Sequence, residues 1–155
     1  MVKRRFKVFL DSNVIISGLF SDKGPPRIIL DLLSLGLPML SGVTGEYNII
    51  EIERNLSNKM PDILPVYRKY LKLLNLEVVP LPLSADVDKL SGHTSGKDIP
   101  VLASAINGNA DFIVTGDKKD FLKLKDKYPF RILSPVEFLD IILSEIINAV
   151  ESEGI

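Results

Sequence analysis

Two short apolar runs, Val8-Phe9-Leu10 and Phe112-Ile113-Val114, stop abruptly at turns that carry acid, Asp11-Ser12-Asn13 and Thr115-Gly116-Asp117. Short continuous apolar runs bounded by turn chemistry suit strands buried on both faces, and such strands belong to parallel sheets. Helical periodicity fills the intervals. Pro25-Pro26 opens a stretch with Ile28, Ile29, Leu32, Leu33 and Leu35, closed by Gly36 and Pro38. Further helices are predicted over Thr44 to Asn55, from Pro65 to about Leu74, and over Lys97 to Asn107. Met39-Leu40, Glu77 to Leu81 and Phe130 to Leu133 are the remaining strand candidates, and Pro82 to Gly96 reads as a loop with one turn of helix. Ser134-Pro135-Val136-Glu137 is a capping box with proline at the first helical position, leading into a helix with Leu139, Ile142, Leu143, Ile146, Ile147 and Val150 on one face. Strands alternating with helices predict an α/β fold with a parallel sheet covered on both faces.

Nothing in the pattern divides residues 1–155, with no internal repeat or linker, so one domain is expected. A hydrophobic content of 46% excludes a wholly disordered chain, because that much apolar surface can offset the entropy of ordering. The absence of cysteine removes disulfides, thiolate metal sites and cysteine nucleophiles together, and fits a cytoplasmic protein. The apolar run after the basic start ends at Asp11, too early for a signal peptide or a membrane span.

Functional groups of parallel sheets gather at the carboxyl ends of strands, where the chain turns before the next helix. If the strands ending at Asp11 and Thr115 are neighbours, Asp11 and Asp117 face each other across a few ångströms at one rim. Carboxylates that close raise each other's pKa unless a cation compensates. Asp98, in the first turn of a helix with Pro100, is a third acid at an element end. Each acid alone has a simpler account: Asp11 as a helix cap, Asp98 as a partner of the helix dipole, Asp117 as turn chemistry. Together, without histidine or cysteine, they point to a hard-cation site for Mg²⁺ or Mn²⁺, which take oxygen ligands and retain water.

The segments FLDSNVIISGLF, IIEIERNL, DIPVLASAINGNADFIVTGDKKDF and ILSPVEFL, in that order and spacing, resemble a PIN-domain protein, similar to the toxin ribonucleases of VapBC-type toxin–antitoxin systems. The resemblance runs from about Lys7 to Leu143. It implies an α/β/α sandwich and a Mg²⁺- or Mn²⁺-dependent endoribonuclease that cleaves single-stranded RNA to leave a 5′-phosphate and a 3′-hydroxyl. Position by position, it implies metal-binding acids at Asp11, Glu51, Asp98 and Asp117, with Asn13 orienting Asp11, Thr115 bonding a metal water or the phosphate, and Asp120 as an additional carboxylate. Glu51 has rivals. On a helical wheel Glu53 lies closer to the face of Ile49, Ile52 and Leu56, so Glu46 and Glu53 stay open beside it. A homodimer and, for a toxin, a cognate antitoxin over the catalytic groove are further implications. The second apolar arc of the last helix, Phe138 and Ile141, fits either burial or a subunit interface.

The formal charge is only -1, so overall basicity argues for no partner, but Lys118 to Arg131 holds six basic residues against two acidic ones. Lys118, Lys119 and Lys123 follow Asp117 closely enough to hold phosphates, with Lys3, Arg4, Arg5 and Lys7 as a second basic group. His93, the single histidine, has no partner pattern and reads as polar surface. No G-x-S-x-G elbow surrounds Ser12, and no Walker A lysine follows Gly42-Val43-Thr44-Gly45. Three rivals remain: a DNA nuclease on the same fold, an idle PIN-like binding module, and a haloacid-dehalogenase-type phosphohydrolase. The last needs a second aspartate where this chain has Asn13.

Overall fold

The computed structural model describes residues 5–92, 96, 98–117, 128 and 130–152. Five strands make one sheet: β1 (Phe6–Leu10), β2 (Leu40–Gly45), β3 (Glu77–Val79), β4 (Phe112–Val114) and β5 (Arg131–Leu133). Every neighbouring pair is parallel, in the order β3-β2-β1-β4-β5. The helices are α1 (Ser12–Phe20), α2 (Pro25–Ser34), α3 (Glu46–Lys59), α4 (Leu64–Leu74), α5 (Ser84–Lys89), α6 (Ile99–Asn107) and α7 (Pro135–Ser152), with a 3₁₀ turn at Pro61–Ile63.

Side chains alternate across a strand, and β1 uses both directions. Phe6, Val8 and Leu10 pack with Ile29 and Leu30 of α2, Ile52 and Leu56 of α3 and Phe138 and Ile142 of α7. Phe9 points the other way, into a second core with Val43, Ile113, Leu102 and Ala105. Two cores on the two faces of one sheet give the expected three-layer α/β/α sandwich. The chain runs outward from β1 through β2 to β3, then returns to place β4 on the other side of β1. The order reverses between β1 and β4, which opens a crevice at the carboxyl ends of these two strands.

Two local expectations are corrected. The second strand extends from Leu40 to Gly45, so Thr44 belongs to β2 and the helix starts at Glu46. Glycine disguises this strand. A Cβ at Gly42 would lie 2.5 Å from Leu76 Cδ2 and 3.1 Å from Leu33 Cδ1, so close packing excludes the β-branched residue that would have marked it. Residues 12–20 form α1, which no capping box or proline announces; Asp11 caps it by accepting from Ser12 N. The turn of helix expected within 82–96 is α5, at Ser84–Lys89. The predicted capping box is formed, with Ser134 N donating to Glu137 Oε1 at 2.9 Å and Glu137 N donating to Ser134 Oγ at 3.2 Å. On α7 the core is filled by Phe138, Leu139 and Ile142, while Leu143, Ile147 and Val150 of the predicted face stand exposed. Among the described residues no helix is long and apolar enough to cross a membrane.

Candidate active site

The carboxyl ends of the neighbouring strands β1 and β4 bring Asp11 and Thr115 side by side. Asp11 is the first residue after β1, and its N–H donates to Val114 O of β4 at 3.0 Å. Leu10 and Val114 are register partners, so Thr115 sits beside Asp11 across the ladder. β2 ends at Gly45, and α3 starts at once, carrying Asn48 and Glu51 in its first two turns. Asp98 precedes α6 as its N-cap residue, with Pro100 in the first turn, and its carboxylate makes no capping bond to that helix.

Asp11 is buried and gripped at both oxygens. Oδ1 accepts from Ser12 N at 2.8 Å and from Asn48 Nδ2 at 3.3 Å; Oδ2 accepts from Thr115 Oγ1 at 2.7 Å. Burial pushes the Asp11 carboxyl above its ordinary value; the bonds from Thr115 and Ser12 pull the other way, and the charges of Glu51 and Asp98 push it up again. Glu51 of α3 and Asp98 at the start of α6 thus act on Asp11 through their charge. Tyr47, half-buried one turn before Glu51, also stands within their field: burial first, then Glu51 and Asp98, raise its phenol, while Arg54 lowers it.

Asp117 is exposed at the mouth of the crevice and is joined to Asp11 through intermediates. Its N–H donates to Thr115 Oγ1 at 3.1 Å, and its Oδ2 accepts from Asn13 Nδ2 at 2.9 Å. Asn13 Oδ1 in turn accepts from Gly116 N at 3.0 Å. Two expected roles therefore change. Asn13 braces the Thr115–Asp117 turn and Asp117, whereas Asp11 is held by Asn48 and Ser12 on one side and by Thr115 on the other. Thr115 is fully buried and directs its hydroxyl to Asp11.

The three α3 glutamates have different surroundings. Glu46 Oε1 accepts from Leu81 N at 3.1 Å, fastening the segment after β3. Glu53 is paired with Arg68 of α4, at 2.7 Å from Nη2 and 3.0 Å from Nε. Glu51 has no hydrogen bond or ion pair among the described residues and acts on Asp11 through its charge. Lys118, Lys119, Asp120, Lys123 and His93, with Lys3 and Arg4, lie outside the described residues. Sequence reasoning missed Asn48, whose place on the Ile52 and Leu56 stripe was the available signal.

The donor set is oxygen only: Asp11, two carboxylates whose charges act on it, and one more beside Asn13. That chemistry fits a hard divalent ion. Among the described residues no three histidine, aspartate or glutamate side chains come together closely enough to hold a metal ion.

Residues 7–119 match the PIN-domain family. The chain belongs to that family. Solved structures similar to this PIN domain include VapBC2 from Rickettsia felis bound to a DNA fragment from its promoter, with a TM-score of 0.61 at 14% identity over 83% of this chain and 98% of that one. DNA-bound VapBC from Salmonella typhimurium gives 0.63 at 12% identity, covering 84% and 98%. VapBC-1 from nontypeable Haemophilus influenzae gives 0.54 at 17% identity, covering 84% and 99%. At these identities the likeness is one of fold. No curated protein matches the chain as a relative.

Proposed function

We propose that this PIN domain is a divalent-metal-dependent endoribonuclease acting on single-stranded RNA. The observation that carries the reading is the state of Asp11: a buried carboxylate at the switch point of the sheet, held at both oxygens and surrounded by the charges of Glu51 and Asp98. The charges of Glu51 and Asp98 oppose the ionisation of Asp11, and stability gives no reason for that; a cation with its substrate phosphate does.

In this reading Asp11, Glu51, Asp98 and Asp117 hold Mg²⁺ or Mn²⁺. When bound, such an ion lowers the pKa of a water and offsets charge on the phosphate and the leaving oxygen. The chain's own residues do the rest. Thr115 and Asn48 fix the plane of the Asp11 carboxylate, so its orientation is set before substrate arrives. Asn13 holds Asp117 at the open side of the crevice, where a phosphodiester can approach. Lys118, Lys119 and Lys123 follow Asp117 in the chain and supply phosphate contacts that fix the backbone without reading bases. Arg54, exposed on α3 two turns beyond Tyr47 and within its field, is a described cation on the acid-bearing helix and adds a further contact.

A role as the toxin of a toxin–antitoxin pair is part of the same reading, supported by the fold shared with VapBC structures. The exposed Leu143, Ile147 and Val150 of α7 support a protein–protein face, for a homodimer or an antitoxin. The activity is tested by incubating the purified protein with labelled single-stranded RNA and, in parallel, DNA, with Mg²⁺, with Mn²⁺ and with EDTA. Metal-dependent cleavage of the RNA is expected. Cleavage confined to DNA replaces the substrate; no cleavage of either under any metal overturns the nuclease reading.

A further inference from the structure

Positions 48, 52 and 56 form the inward stripe of α3, and all three are buried: Ile52 and Leu56 fill the core, and Asn48 is completely enclosed. An amide is a poor choice for such a slot. Its Oδ1 is shut away from solvent and has no hydrogen-bond partner among the described residues, which costs stability that an apolar side chain of the same shape would not lose. The neighbouring backbone also yields space to it. A Cβ on Gly45 would stand 2.9 Å from Asn48 Oδ1 and 2.8 Å from Ser104 Oγ, so glycine admits the amide there. The return is on the other amide atom. Nδ2 donates to Ser12 Oγ at 2.9 Å and to Asp11 Oδ1 at 3.3 Å. A polar residue placed in a core stripe against stability, with both donor hydrogens spent on the Asp11 turn, is the pattern of a group kept for function.

We propose that Asn48 is a positioning residue of the acid site, holding the Asp11 carboxylate on the side opposite Thr115 and tying it to the helix that carries Glu51 three residues on. This rests on the metal-site reading above. Partners of a liganding carboxylate fix its orientation, and their loss typically weakens metal binding about 10- to 100-fold.

The test is Mn²⁺ binding to the metal-free protein by isothermal titration calorimetry, with Tm in EDTA by circular dichroism. The variants are Asn48→Leu, which keeps the branched shape and removes the donors, and Asn48→Ala, which cannot overfill the slot; Asp11→Asn serves as the site control. The wild type is expected to bind Mn²⁺, Asp11→Asn to lose it, and both Asn48 variants to bind about tenfold or more weakly, with Asn48→Leu melting no lower than the wild type. A lowered Tm with unchanged Mn²⁺ affinity makes Asn48 a packing residue and overturns the proposal, while leaving the metal site standing. Failure of both variants to fold overturns it as well, since the amide is then indispensable to the core. A wild type that binds no Mn²⁺, or an Asp11→Asn protein that binds it equally, overturns the metal-site reading and this proposal with it.

Discussion

Thr115 Oγ1 donates to Asp11 Oδ2 across 2.7 Å, and the same oxygen accepts from Asp117 N at 3.1 Å. A single buried hydroxyl thus ties the acid that follows β1 to the acid that follows β4. Hydrogen bonds to a charged acceptor are about twice as strong as neutral ones, so this one fixes where the Asp11 carboxylate points. The turns that follow two neighbouring parallel strands are thereby bonded to each other.

The raised pKa of Asp11 has a stability consequence of definite sign. Its cause is burial first, then the neighbouring acids, and the folded-state value lies above the ordinary 3.8. The folded protein therefore prefers the protonated form: the advantage is full below the unfolded value and is lost as pH rises through the folded one. In EDTA, Asp11→Asn should melt higher than the wild type at pH 7, and the gap should close as pH falls toward 4. The substituted amide can keep its oxygen on Ser12 N and Asn48 Nδ2 and turn its nitrogen to Thr115 Oγ1. Melting curves across pH check this; a gap that widens in acid contradicts it.

The three α3 glutamates separate by function. Glu51→Gln should abolish cleavage, because Glu51 acts on Asp11 and has no structural bond among the described residues. Glu53→Gln should retain activity and lose at most about 1 kcal/mol, since its pair with Arg68 is largely exposed. Glu46→Gln retains an oxygen for Leu81 N and should be close to neutral. Cleavage rates with urea titrations decide; a dead Glu53→Gln beside an active Glu51→Gln would show that the helical wheel had pointed better than the motif.

Much of this was legible in the sequence, and the exceptions have physical reasons. β1 and β4 announce themselves as apolar runs, and the α7 cap as a capping box. β2 hides because close approach of Leu33 and Leu76 demands glycine at 42, and Thr44 spends its hydroxyl on Leu10 O. The charges of Glu51 and Asp98 act on Asp11, but which groups hold its carboxylate was not readable. The resemblance gives Asn13 to Asp11 as its companion; the start of α1 turns its side chain across to Asp117 instead. Asn48 reaches Asp11 from 37 residues away, a pairing that only the fold creates.

Tyr67 of α4 is buried with a hydroxyl that has no hydrogen-bond partner among the described residues, and burial pushes its phenol up to about 12. Tyr67→Phe removes an unsatisfied polar atom at nearly constant shape and should stabilise the protein, by about 1 kcal/mol. The folded wild type holds a proton that the unfolded chain releases near pH 10, so wild-type stability falls between about pH 10 and 12. The variant should lack that loss. Urea titrations at pH 7 and in the alkaline range read both effects.

Phosphate contacts are separable by salt. Each contact to a single strand adds about 0.7 to the slope of log affinity against log salt. Replacing Lys118, Lys119 and Lys123 by Ala should make the slope shallower by up to about 2, and Arg54→Ala by about 0.7, with affinity falling for every RNA sequence alike. Fluorescence anisotropy with Ca²⁺ in place of Mg²⁺ measures both. An unchanged slope in the triple variant returns the lysine run to ordinary solvated surface.

The most direct measurement is the rate of single-stranded RNA cleavage in saturating Mg²⁺ or Mn²⁺ by the wild type, Asp11→Asn and Asp117→Asn, each shown to be folded. An amide is a poor ligand for a hard cation at almost unchanged volume, so both variants should lose at least about a hundredfold in rate, the scale at which metal catalysis and its positioning act. Wild-type rates in both folded variants would contradict the assignment of this crevice as the catalytic centre.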